Sequence, residues 1–109
     1  MGEHSLTGAL RALLSSRRTA ALGTRDASGE VFVSMVPFAI DPEAHELILH
    51  VSALAAHTGN MQRTPRVSLL VCAPEVADEP VHALPRVTLD ALARTAEPDT
   101  DEARSARRV

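Results

Sequence analysis

Between Ser5 and Ser16 the residues Leu6, Leu10, Leu13 and Leu14 recur at helical spacing while Arg11 falls on another face, which predicts an amphipathic first helix. A short apolar run, Thr19 to Thr24, follows, and then the turn-forming string Arg25-Asp26-Ala27-Ser28-Gly29-Glu30. A second apolar run from Val31 to Ile40 comes after that turn, so the pair reads as a β-hairpin. Asp41 to His45 interrupts the pattern, and Glu46 to Val51 resumes it as a third strand rich in leucine and β-branched residues.

From Ser52 to Arg63 the chain turns Ala-rich, with Leu54 and Met61 one heptad apart and Pro65 ending the pattern, so one short helix is expected between strands. Arg66 to Cys72 is a clear strand, and Ala73 to Ala83 an acidic, Pro-containing loop. Pro85 to Ala96 opens as a strand whose second half, Leu89 to Ala96, is equally compatible with a helix. This divides the chain into a domain over residues 1–96 and a charged C-terminal tail over 97–109. The connections are too brief for repeated βαβ crossovers, so the fold class expected is mainly β, a small antiparallel β-barrel with short helices.

Alternation along the second run sends Val31, Val33, Met35 and Ala39 to one face and Phe32, Ser34, Val36 and Phe38 to the other. Both faces are apolar and both should be covered. A barrel covers its own inner face, so the outer one needs helices or a second subunit, and a homodimer is the simplest way to supply it.

Composition narrows the chemistry. The 109 residues carry 11 basic and 14 acidic side chains for a net charge of −3, which argues against a general nucleic-acid binder. Every basic residue is Arg, so lysine Schiff-base and lysine-nucleophile chemistry is excluded. Trp and Tyr are absent and Phe occurs only at Phe32 and Phe38, which leaves almost nothing to stack on bases. No apolar run approaches a bilayer span and no signal-peptide pattern opens the chain, so no membrane association is expected and a cytoplasmic location is the default. The lone Cys72 reads as a small buried apolar side chain. His45 and His50 lie on a turn and a strand and face differently, so no metal site is expected; His4 and His82 read as surface residues and Asp90 as a solvent-facing strand residue.

The strings Ser34-Met35-Val36-Pro37-Phe38-Ala39, Leu47-Ile48-Leu49-His50-Val51-Ser52, Leu54-Ala55-Ala56-His57-Thr58-Gly59-Asn60 and Thr64-Pro65-Arg66-Val67-Ser68-Leu69-Leu70 together resemble the FMN-binding split-barrel family related to pyridoxamine 5′-phosphate oxidase. The resemblance runs from about Leu10 to Ala96 and is nearest to the branch that contains haem-utilisation proteins. It implies a split β-barrel whose last strand is absent from this chain or supplied by another. It also implies FMN as cofactor, bound at the interface of a homodimer, with a small-molecule substrate that the sequence does not name. The site residues it marks are Ser34, Met35, Val36 and Pro37 along the strand, and Ser52, His57, Thr58 and Asn60 around the strand-to-helix turn.

The chemistry of those types agrees, because FMN carries a phosphate that a turn rich in N–H, hydroxyl and imidazole donors can receive. Asn60 also reads as a tie between loop and helix, and Pro37, lacking an N–H, should sit where its strand's ladder is interrupted or at an edge. Taken singly, Ser34 also reads as a structural hydroxyl and His57-Thr58 as ordinary helix capping. Ala56 and Gly59 stand where related sequences commonly carry Pro and a basic residue, which leaves Arg63, Arg66 or a partner subunit to supply the positive charge. Three functions are therefore set against each other: a flavin-dependent oxidoreductase, a haem-binding or haem-degrading protein on the same barrel, and a dimeric barrel without cofactor.

Overall fold

The computed structural model describes residues 3–41, 43 and 46–95. Helix α1 (Glu3–Ser16) leads into strands β1 (Thr19–Arg25), β2 (Val31–Asp41) and β3 (Glu46–Leu49). Helix α2 (Ala56–Arg63), strand β4 (Arg66–Cys72), a 3-10 turn at Val81–Ala83 and strand β5 (Arg86–Leu92) complete the order. The strands form one antiparallel sheet in the order β3-β2-β1-β4-β5.

The expected hairpin is present, with Leu22 opposite Ser34 and Thr24 opposite Phe32. Its turn is set by Asp26, whose Oδ1 accepts the N–H groups of Ser28 and Glu30 at 2.9 and 3.0 Å, while Gly29 takes the positive φ of 82° that a side chain would resist. Pro37 sits where β2 changes partners: its pairing with β1 ends at Pro37, and its pairing with β3 begins at Phe38. The missing N–H therefore falls at the end of a ladder.

Ala20 and Leu22 from β1, Val36 and Phe38 from β2, and Val67, Leu69 and Val71 from β4 form the buried core. Leu13 and Leu14 from α1, Met61 from α2, and Leu47 and Leu49 from β3 pack around it. The sheet curls far enough that its two outer strands meet at one corner, where Arg94, just past β5, bonds both carboxylate oxygens of Glu46 at the start of β3 at 2.8 and 2.7 Å. The result is a mainly β half-barrel with two helices, the architecture expected.

Several expectations shift. Leu89 to Leu92 continue as strand because β4 offers a free edge that pairs Leu89 with Leu69 and Leu92 with Arg66. β3 ends at Leu49, two residues early, although the His50 N–H still donates to the Pro37 carbonyl at 3.2 Å. Cys72 is half-buried on the outward face and is not a core residue. That outward face is also uncovered in the single chain, with Val31, Val33 and Met35 at 72, 65 and 75% exposure and Leu70 beside them across Ala21. The tail over 97–109 lies outside the described residues. Among the described residues no helix is long and apolar enough to cross a membrane.

Candidate functional site

Ser34 is on the inward face of β2, next to the buried Val36, and the first turn of α2 brings His57 onto it. Ser34 Oγ lies 3.0 Å from His57 Nδ1, a bond between groups 23 residues apart. The other ring nitrogen, Nε2, is buried and has no partner among the described residues. The pair can be made in two ways. If the Ser34 hydroxyl donates to Nδ1, Nε2 carries the proton and is a donor for an anion; if Nδ1–H donates to Oγ, Nε2 presents a lone pair.

The loop before α2 is built from its own polar groups. The Ser52 carbonyl accepts the Ala55 N–H at 3.1 Å and the Thr58 hydroxyl, and Ser52 Oγ accepts the Leu54 N–H at 3.2 Å. Thr58 therefore spends its proton on the loop and does not aim it outward, whereas Ser52 keeps its hydroxyl hydrogen. α2 starts after Ala55 with no side-chain cap.

Asn60, one turn on from His57, is buried and faces the sheet. Its Nδ2 donates to Thr24 Oγ1 at 3.0 Å, and its Oδ1 accepts from Arg63 Nη2 at 3.1 Å. Arg63 Nη1 also donates to the Gly59 carbonyl at 3.3 Å. The Nδ2 end of the Asn60 amide thus holds α2 on β1, and the Oδ1 end receives the last residue of α2 itself.

The remaining strand residues separate. Met35 points to the uncovered face, Val36 is in the core, and Pro37 offers only its carbonyl, already taken by His50. Ser34, His57, Asn60 and the Ser52–Thr58 turn are brought together; Met35 and Val36 are not part of that cluster. The sequence reading missed Thr24, whose link to Asn60 spans 36 residues and leaves no local signal. His50 also holds a buried Nε2 with no partner among the described residues, His82 is exposed, and His45 lies outside them. Among the described residues no three His, Cys, Asp or Glu side chains converge as a metal site.

A cleft of about 320 Å³ lined by Glu75, Val76, Glu79 and Val81, and another of about 290 Å³ lined by Leu14, Arg17, Arg18 and Phe38, lie away from the Ser34–His57 pair. Compared with known proteins, residues 6–109 match the family model of pyridoxamine 5′-phosphate oxidase.

The chain belongs to the pyridoxamine 5′-phosphate oxidase family.

Within that family it is 33% identical over 85 residues to heme oxygenase HutZ of Vibrio cholerae, an alignment that takes in 78% of this chain and 47% of the relative. Among solved structures it is similar to a heme binding protein from Mycobacterium smegmatis, at 30% identity and a TM-score of 0.77, over 92% of this chain and 39% of that one. It is likewise similar to the structure of HutZ, the heme storage protein from Vibrio cholerae, at 29% identity and a TM-score of 0.77, over 94% of this chain and 75% of that one. The chain thus spans about half the length of the curated relative it matches. Heme is in the name of each of these relatives, and FMN in none of them.

Proposed function

We propose that this member of the pyridoxamine 5′-phosphate oxidase family is a homodimeric haem-binding protein whose ligand lies against the Ser34–His57 pair. The observation that carries the reading is His57: an imidazole fixed at Nδ1 by Ser34, with a buried Nε2 for which no described residue supplies a partner. A buried polar atom left unpaired costs about 1–3 kcal/mol, so a ligand group at Nε2 removes a standing penalty. Two similar proteins, HutZ of Vibrio cholerae, described both as a heme oxygenase and as a heme storage protein, and the heme binding protein of Mycobacterium smegmatis, have haem in common but no one reaction, so the proposal is for binding.

The residues present fit such a group in either form of the pair. With Nδ1–H donated to Ser34, Nε2 is the neutral nitrogen that metal-ligating histidines present, and the Ser34 hydroxyl orients the ring. With the reverse arrangement Nε2–H donates to a propionate. Bound haem would supply the redox and oxygen chemistry; the chain's own part is to orient it and exclude water.

The homodimer belongs to the same proposal. Val31, Val33, Met35 and Leu70 form a contiguous apolar strip across β2, β1 and β4, with only Ala21 and Gly23 between them. A strip of this kind on a sheet face calls for a partner surface.

FMN remains a second reading, favoured by the hydroxyl of Ser52 and the Nε2 of His57 beside an α2 that carries no acidic residue in its first turn. Both are tested together by titrating the purified chain with haemin and with FMN. Because Trp and Tyr are absent, cofactor absorbance is read against an almost transparent protein. A Soret shift that saturates near one haem per chain or per dimer supports the leading reading. Saturable FMN binding without a Soret response replaces it with the second, and failure to take up either leaves a barrel without cofactor.

A further inference from the structure

The arginines of the described residues divide by what they bond. Arg25, Arg63 and Arg86 each donate to a carbonyl of a nearby turn or helix, and Arg94 bonds the Glu46 carboxylate. Arg11, Arg17, Arg18 and Arg66 donate to no described group. Arg11 and Arg66 are exposed, where water serves them. Arg17 is half-buried, and its Nε is buried without a partner among the described residues. It has given up water at one donor and gained no acceptor there.

Arg17 and Arg18 line one cleft of about 290 Å³ between the end of α1 and β2. Leu14 on one side and Phe38, Ala39 and Ile40 on the other make its apolar walls, and the two guanidinium groups are the only charged groups that line it among the described residues. The Phe38 N–H donates to the Arg18 carbonyl at 2.9 Å, which pins the backbone of the pair to the strand it faces. A helix C-terminus favours cations through its free carbonyls, yet neither guanidinium donates to one, and the Leu13 carbonyl is taken by Ser16 Oγ at 2.8 Å. No carboxylate lies within ion-pair distance of either arginine among the described residues. Consecutive like charges over an apolar cleft, one of them with an unpaired buried donor, are relieved by an anion that accepts from both.

We propose that the cleft between α1 and β2 is a binding site for a small organic anion, with its oxyanion held by Arg17 and Arg18 and its apolar body against Leu14, Ala39 and Ile40. The volume is at the small end of ligand pockets, which suits one charged head on a short hydrocarbon or a single ring. The head group is a carboxylate or a phosphate ester, since the guanidinium fork receives both. Phe38 lies four residues along β2 from Ser34, about 13 Å at the rise of a strand. The site is therefore separate from the Ser34–His57 pair and does not rest on the cofactor reading. An occupant bridges α1 and β2, and so ties the first helix to the sheet.

The test is a titration of the full chain with octanoate, phenyl phosphate and uncharged octanol, followed through the amide resonances of Leu14, Phe38 and Ile40. At least one of the two anions is expected to give saturable shifts at those residues, and the one that saturates at lower concentration identifies the head group. Octanol should give far weaker ones. Arg17→Gln and Arg18→Gln should each weaken the anion about tenfold, Arg17→Lys should keep part of the affinity, and Arg11→Gln, which removes an exposed charge from the same helix, should change nothing. Circular dichroism checks that each variant keeps its fold. His57→Ala should leave the titration as it is. Absence of saturable shifts with either anion overturns the proposal, as does an equal response to octanol or an equal loss in Arg11→Gln, which would make the cleft a plain apolar crevice or the effect one of net charge.

Discussion

Asn60 Nδ2 donates to Thr24 Oγ1 at 3.0 Å, and both residues are only 3% exposed, so α2 is held to β1 by a buried polar bond in an otherwise apolar interior. Thr24 Oγ1 passes its own hydrogen toward the Phe32 carbonyl at 3.4 Å, which makes the pair part of a short chain running from helix to hairpin. Asn60→Ala breaks that chain and leaves the Thr24 hydroxyl short of a donor. The expected cost is about 2 kcal/mol, or roughly 8–16 °C in thermal midpoint for a domain of this size. A double-mutant cycle with Thr24→Val should show a coupling of at least about 0.5 kcal/mol, and additivity would show that the bond contributes nothing.

His57→Ala tests the site more directly. Removing the imidazole takes away both candidate contacts of Nε2, so haemin affinity should fall at least about tenfold and the Soret maximum of any residual complex should move. Ser34→Ala leaves the ring in place but unfixed at Nδ1, and a smaller loss, about threefold to tenfold, is expected by the same titration.

The uncovered strip makes a prediction about assembly. Val33→Glu places a charge on the outward face opposite Gly23, and two copies meeting there would bring the carboxylates together. Sedimentation should shift from dimer to monomer while circular dichroism stays unchanged, because Val33 contributes no core contact. A variant that still sediments as wild type would show that this face is not the interface.

Leu22 is fully buried at the centre of the sheet, between β2 and β4. Leu22→Ala should cost about 3 kcal/mol through lost transfer energy and the cavity left behind, measured by urea unfolding.

The Arg94–Glu46 pair looks more important than it should prove. Its side chains are 56 and 41% exposed, and solvent screening keeps such pairs to about 1 kcal/mol or less. Glu46→Gln should therefore move the urea midpoint only slightly, and less still in high salt. A large loss would mean that the corner where the outer strands meet depends on charge and not on the nearby packing of Ala93 and Leu47.

What was readable in the sequence follows from how local each signal is. The hairpin was legible because Asp26 and Gly29 specify its turn within five residues, and β4 because Arg66 to Cys72 is a short, mostly apolar run bounded by Pro65 and Pro74. The fate of Leu89 to Leu92 was not, since what makes them strand is the free edge of β4, a partner about twenty residues away. At the site, Ser34 and His57 were both singled out, but their direct bond depends on α2 folding back onto the sheet, which no spacing encodes. Thr58 was read as a donor for a ligand from its type alone; the Ser52 carbonyl claims that proton because the loop doubles back on itself. Met35 and Val36 shared a string with Ser34 and yet lie elsewhere, because neighbouring strand residues face opposite ways and Val36, on the same side as Ser34, is sealed in the core.

The place of β1 in the sheet also orders events in time. Its hairpin with β2 closes over a short turn, a microsecond step, whereas its other edge waits for β4, beyond an intervening loop of roughly 40 residues whose closure costs more entropy. α2 lies inside that loop. Thr24 and Ser34 can therefore stand in register as soon as the hairpin closes, whereas Asn60 and His57 reach them only across a longer stretch of chain, so the site is expected to assemble after the hairpin.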